Sequence, residues 1–170
     1  NGGQGIIQGE VGQVVVRVPD TIRQMIERQI ERLSVAEQQV LEVASVAGGE
    51  FSAAAVAAGL GTDVWEVEEQ CTGLARRECV LHPQGASEWP DGTVTTRYRF
   101  VHVLYQDVLY ERVPVAQRIR YHQRIGERAE QGYGERAREI AAELARHFEQ
   151  GRDFHPAVHY LQQTAENSIR

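Results

Sequence analysis

Six histidines, two cysteines and a wholly arginine basic complement carry the chemistry open to this chain of 170 residues. His155 and His159 stand four apart, the spacing at which two imidazoles share a helical face, and His147 is close by in sequence. Zinc needs at least a third protein ligand, and no HExxH glutamate lies between the pair. Pro156 moreover sets His155 at or before a helix start. The reading is therefore packing at a surface or interface, with no metal site. Cys71 and Cys79 are too far apart for a CxxC knuckle, and one pair cannot make a disulfide framework, so both are read as reduced thiols, Cys71 as a packing residue. No nucleophile elbow and no distinctive cysteine context points to covalent catalysis, so no catalytic residue is expected.

All 18 basic residues are arginine, with no lysine anywhere. A Walker A loop needs the lysine of GxxxxGK[ST] to reach nucleotide phosphates, so this stretch contains none; lysine Schiff-base chemistry falls on the same ground. The net charge of -6 repels nucleic acid and anionic lipid alike. Local exceptions are Arg76 and Arg77, at the end of one expected helix, and Arg97 and Arg99, which share one face of an expected strand. These four form the candidate interaction surface. No apolar run approaches the roughly 18 residues of a membrane span, and the start lacks a signal peptide's basic and apolar regions, so a cytoplasmic, non-membrane protein is expected.

Two further histidines need the elements around them. Helical periodicity opens at Asp20, with Ile22, Met25, Ile26, Ile30 and Leu33 on one face and a capping-box spacing at Thr21 and Gln24. Ser34 with Glu37 opens a second helix, which carries Val40, Leu41, Ala44 and Ala47 inward until Gly48 and Gly49. Ser52 caps a short alanine-rich third helix ending at Gly59. Asp63 with Glu66 starts a fourth, with Val64, Val67, Cys71 and Leu74 inward.

Cys79 to Leu81 and Thr93 to Val101 read as the strands of a hairpin with a turn at Pro90-Asp91-Gly92. Helices, here four, followed by a β-hairpin is the order of a winged helix-turn-helix. His102 ends the second strand on the face of Tyr98 and Phe100, which predicts a ring turned to the core side, a packing role on spacing alone. Pro114 then begins a longer helix through Ile119, His122, Ile125 and Ala129, where His122 reads as a core or interface histidine with one ring nitrogen hydrogen-bonded. Glu135 to Gln150 and Pro156 to Ile169, separated by Gly151, form a helical hairpin with small contact residues, spaced as in a tetratricopeptide-like (TPR-like) unit. The fold expected is mainly α: a winged helix-turn-helix domain with a small β-hairpin wing, followed by an α-helical hairpin as a TPR-like superhelical start. Residues 1–18, with five glycines and one possible edge strand at Val14 to Val16, read as a loose tail.

A winged helix suggests DNA binding, with the fourth helix in the major groove. That helix sets Asp63, Glu66, Glu68 and Glu69 against Arg76 and Arg77, a poor match to phosphate, so DNA is the lesser alternative.

The string VPDTIRQMIERQIERLS, then VLEVASVAGGEFS, YRFVHVLYQDVLYERVPVAQRIRYHQRIGERAE and ELARHFEQGRDFHPAVHYLQQTAEN, resembles the segment following the nucleotide-binding domain in bacterial STAND-class signalling ATPases. The likeness runs from about Val18 to Arg170. It implies a winged-helix domain at residues 19–113 and a helical arm at 114–170 that begins a run of repeats, with residues 1–18 at the edge of an ATPase domain that holds ADP or ATP with magnesium. In such receptors a histidine at the end of the winged helix touches bound ADP. FVHVLYQDV resembles that motif, so the likeness gives His102 a nucleotide-sensing role, although Val103 stands where the motif has aspartate. It further implies an intramolecular ATPase partner, a protein or small-molecule signal on the repeats, and no cofactor held by this segment itself.

Overall fold

The computed structural model describes residues 19–77 and 79–169, so the expected edge strand at Val14 to Val16 lies outside the described residues. The protein is mainly helical with one small antiparallel sheet. The helices are α1 (Asp20–Glu31), α2 (Val35–Ala47), α3 (Ala53–Leu60), α4 (Val64–Arg76), α5 (Val103–Arg112), α6 (Val115–Tyr133), α7 (Ala141–Gln150) and α8 (Phe154–Ser168). The strands are β1 (Glu50–Ser52), β2 (Leu81–Glu88) and β3 (Val94–Phe100), in the order β1-β3-β2.

Local signals explain several helix boundaries. The Ser34 hydroxyl accepts from the Glu37 N–H at 3.1 Å while the Glu37 carboxylate accepts from the Ser34 N–H at 2.9 Å, closing a capping box on α2. Ser52 caps α3 by accepting from the Ala55 N–H at 3.1 Å. That helix ends at Gly61, not Gly59, because Gly61 takes the left-handed conformation (φ 72°) that closes a helix C-terminus without a Cβ clash.

Other boundaries depart from the sequence pattern. Thr21 lies inside α1, which starts after Pro19 with no side-chain cap, so the Thr21–Gln24 box does not form. Asp63 caps α4 through the Trp65 N–H at 2.8 Å, but Glu66 bonds the Thr62 hydroxyl instead of returning to the cap. Pro114 is the N-cap of α6 instead of its first turn. The segment Gly134–Ile140 is a 3-10 helix, so α7 begins only at Ala141, and α8 begins at Phe154, ahead of His155 and Pro156.

Two apolar clusters organise the chain. The larger gathers Ile26 and Ile30 of α1, Leu41 and Val43 of α2, Val67, Cys71 and Leu74 of α4, Phe51, Leu81, Tyr98 and Phe100 of the sheet, Leu109 of α5 and Ile125 of α6. Ile22 and Met25 were expected in it; they face outward, because α1 is anchored only by its later turns. The smaller cluster joins Ala129 to Ala141, Leu144, Phe148, Ala157 and Tyr160. Helix α6 contributes Ile125 to the larger and Ala129 to the smaller, so it is the beam the two clusters share.

Strand β2 is longer than the Cys79–Leu81 expected: it starts at Leu81 and pairs from Leu81↔Phe100 to Glu88↔Val94, with a register shift between Pro83 and Gly85. The tip of this hairpin is seated on α6. A Cβ added at Gly132 would lie 2.4 Å from the Trp89 ring, so glycine there leaves the space that the indole occupies. The Asp91 N–H donates to the Gly132 carbonyl at 3.0 Å, and Arg128 reaches Asp91 at 3.0 Å and the Thr93 hydroxyl at 2.8 Å while lying 4.8 Å over the Trp89 ring. Trp89 is thereby buried.

Candidate functional site

Strand β3 brings the chain to His102 through an aromatic run. Phe51 of β1 packs on Tyr98 and Phe100 at centroid distances of 6.0 and 5.6 Å, which fixes the end of the strand. The Phe100 N–H donates to the Gly49 carbonyl and the Val101 N–H to the Val80 carbonyl, and there the ladder stops. Strand alternation ends with it, so the expected core-facing ring does not occur: His102 is exposed.

Its ring has a local task. His102 is the N-cap of α5, with Nδ1 accepting from the Leu104 N–H at 3.1 Å. An imidazole nitrogen that accepts carries no proton, so in the neutral ring the hydrogen sits on Nε2. The exposed edge of the ring is thus a hydrogen-bond donor at the start of a helix, where the dipole also favours negative charge. Val103 beside it is 59% exposed.

The four candidate arginines do not form one surface. Arg97 and Arg99 do share a face of β3, as their spacing requires; Arg97 approaches Glu50 at 3.7 Å and Arg99 is exposed. Arg76 and Arg77 sit at the end of α4 beside the opposite face of the hairpin, where Arg76 lies with Thr96, Tyr98, His82 and Pro83 around a shared hollow. Arg77 is taken up by Glu37 and the Gly73 carbonyl.

Helix α4 is bound to the sheet by a carboxylate. One Glu68 oxygen accepts from the Thr96 N–H at 2.6 Å and the Thr95 hydroxyl at 3.3 Å; the other accepts from the Tyr98 hydroxyl at 3.2 Å. Its exposed positions are led by Trp65, Glu66 and Glu69. Against phosphate this is a repulsive surface, and the hairpin tip that would touch a DNA backbone is occupied by α6. Cys71, on the buried face of this same helix, has its thiol pushed up to about 12 by burial and then by Glu68, so it is inert as a nucleophile.

The most unusual polar cluster is one the sequence reading missed. His122 of α6 and His147 of α7, both buried, meet Nδ1 to Nδ1 at 3.0 Å. Arg146 Nη2 lies 3.2 Å from His147 Nε2, and a guanidinium only donates. His147 Nε2 therefore accepts, its Nδ1 carries the proton and donates to His122 Nδ1, and the remaining His122 hydrogen falls on Nε2. That atom is buried with no hydrogen-bond partner among the described residues. Burial, then Arg146 and Arg118, push His122 down to about 4; burial, then Arg146 and His122, push His147 further in the same direction. Both rings are neutral at pH 7. His122 was legible as a buried histidine from its apolar stripe; His147, next to Phe148 on the inner face of α7, offered the same signal.

His155 and His159 are exposed on α8, His159 bonding Gln163 at 3.0 Å. No group of three or more potential metal-ligating side chains occurs among the described residues, and no helix among them is long and apolar enough to cross a membrane. No family model, curated protein or solved structure matches this chain.

Proposed function

We propose that this chain is a non-catalytic regulatory segment of a bacterial STAND-type signalling ATPase: a winged-helix domain, built from α1 to α5 and the sheet, followed by the start of a TPR-like arm. In this reading the domain closes over the ADP-bound ATPase module in the cytoplasm. His102 then offers its Nε2–H to the nucleotide, and exchange to ATP releases the lid. A protein or small molecule on the arm shifts the balance only by binding the two states with different affinity.

The observation that carries this is the His102 ring. It is exposed, its orientation is set by the bond from the Leu104 N–H, and its donor nitrogen lies at a helix start suited to an anion. A side chain kept only for packing has no need of that exposure. The locked hairpin tip and acidic α4 speak against the DNA-binding alternative.

The test is ADP release from the intact ATPase. His102→Ser keeps an N-cap acceptor but removes the imidazole and its N–H donor, the short hydroxyl being taken up by the cap, so it separates nucleotide contact from helix capping. Faster ADP release, by about tenfold as expected for one lost hydrogen bond to a charged group, with raised basal output, is the expected result. An unchanged release rate removes the sensor role.

A further inference from the structure

Between the two apolar clusters lies a cleft of about 480 Å³, inside the range of roughly 300–1,000 Å³ typical of small-molecule sites. Its floor is the backbone from Ala47 to Ser52, where Gly48 and Gly49 carry no side chains to fill it. One wall is the sheet, with Arg97 and Glu50; the other is the arm, with Arg146 and Glu143 of α7. Trp89 and Tyr133, 5.8 Å apart, close one end, and Gln106 of α5 lines it too, one helical turn beyond His102.

The four charges in this cleft are poorly matched within the chain. Arg97 and Glu50 stand 3.7 Å apart with side chains 43% and 62% exposed, a loose pair of little worth. The Arg146 Nη2 meets the Ala47 carbonyl at 2.5 Å and His147, but no carboxylate among the described residues lies within ion-pair distance of it. Desolvation lowers the Arg146 guanidinium below the ordinary arginine range, against the opposing pull of Glu143. Glu143 has as its nearest basic neighbour the His147 Nε2 at 4.0 Å, on a ring that is neutral. Each wall thus presents one guanidinium and one carboxylate toward the same space, and each wall holds its own pair only loosely.

We propose that this cleft binds a small dipolar molecule of the amino-acid or dipeptide class, its carboxylate held by Arg97 and Arg146 and its ammonium by Glu50 and Glu143. A purely anionic ligand would leave both carboxylates opposed to it, and an apolar one would strand all four charges. Because one wall belongs to the sheet and the other to the arm, the ligand crosses the joint between them. Binding here stands whether or not His102 touches a nucleotide, so the two readings fail separately.

The experiment is calorimetric titration of the chain with the twenty free L-amino acids and a set of glycyl dipeptides, repeated for any binder with its N-acetylated and its C-amidated forms and with inorganic phosphate. At least one free zwitterion is expected to bind, and each blocked form to bind about tenfold more weakly or worse, as the loss of one charge-assisted contact implies. Arg97→Gln and Glu143→Gln, both exposed enough to leave the fold intact, should each weaken binding to a similar extent, whereas Arg99→Gln, on the same strand but outside the cleft, should not. Absence of any binder, a blocked form or phosphate binding as tightly as the free zwitterion, or unaltered affinity in both cleft variants would each overturn the proposal.

Discussion

The start of α5 and the seam between α6 and α7 both rest on histidine, in opposite surroundings. At His102 the ring is wet and serves one backbone donor, leaving its other nitrogen to the outside. At His122 and His147 the rings are buried, bond each other, and leave one nitrogen without a partner among the described residues. In the first place the imidazole is replaceable by any good cap as far as folding is concerned. In the second it is part of the core, and its neutrality is a condition of the packing. The same residue type is therefore a surface instrument at one point and a structural joint at the other, and burial decides which.

The comparison breaks most visibly if the buried pair proves dispensable. His147→Ala removes a fully buried ring and strands both the Arg146 donor and His122, so a loss of roughly 2–4 kcal/mol is expected in urea unfolding. His122→Leu with His147→Leu removes both partners at once and should cost less than the two single changes summed, because no orphaned acceptor is left.

Acidity gives the next effect. The folded His122 titrates near 4 against an ordinary histidine value of about 6.5, so between those values the unfolded chain holds more protons than the folded one. Stability is then fully present above about pH 6.5 and falls as the pH is lowered toward 4, with His147 extending the loss further down. The rings face Arg146 and Arg118, and Glu143 stands on the outer side of His147, too exposed to compensate. Thermal unfolding midpoints from pH 7 to 4 should drop steeply for the native chain and less for the double leucine variant; equal slopes would show that other groups govern the acid response.

The smallest effect belongs to His102. Ala there should cost about 1 kcal/mol through the lost cap, and Asn should restore it to within a few tenths. A larger loss with Asn would mean that the ring packs more than its exposure indicates.

What the sequence disclosed follows the range of each interaction. Ser34–Glu37, Ser52 and the stripe of α2 act within a few residues, and they were legible. Strand β1 was not, because Glu50–Ser52 is extended only where β3 lies alongside it. The outer half of β2, Gly85 to Ser87, has loop composition and is held as strand by pairing with Thr95 to Arg97. Gly134–Ile140 carries apolar residues three apart, a spacing that a 3-10 turn satisfies as well as an α-helix does. For the candidate site, the position of His102 at a strand-to-helix junction was readable, but its outward turn depends on where the ladder with Gly49 and Val80 gives out. The cleft and the imidazole pair join residues far apart in the chain, and no local pattern announces them.

The notch at Gly132 links the parts mechanically. With the indole of Trp89 wedged into it, the hairpin is a strut running from the middle of the molecule back to the imidazole at its rim. A methyl group at position 132 would knock that strut from its socket.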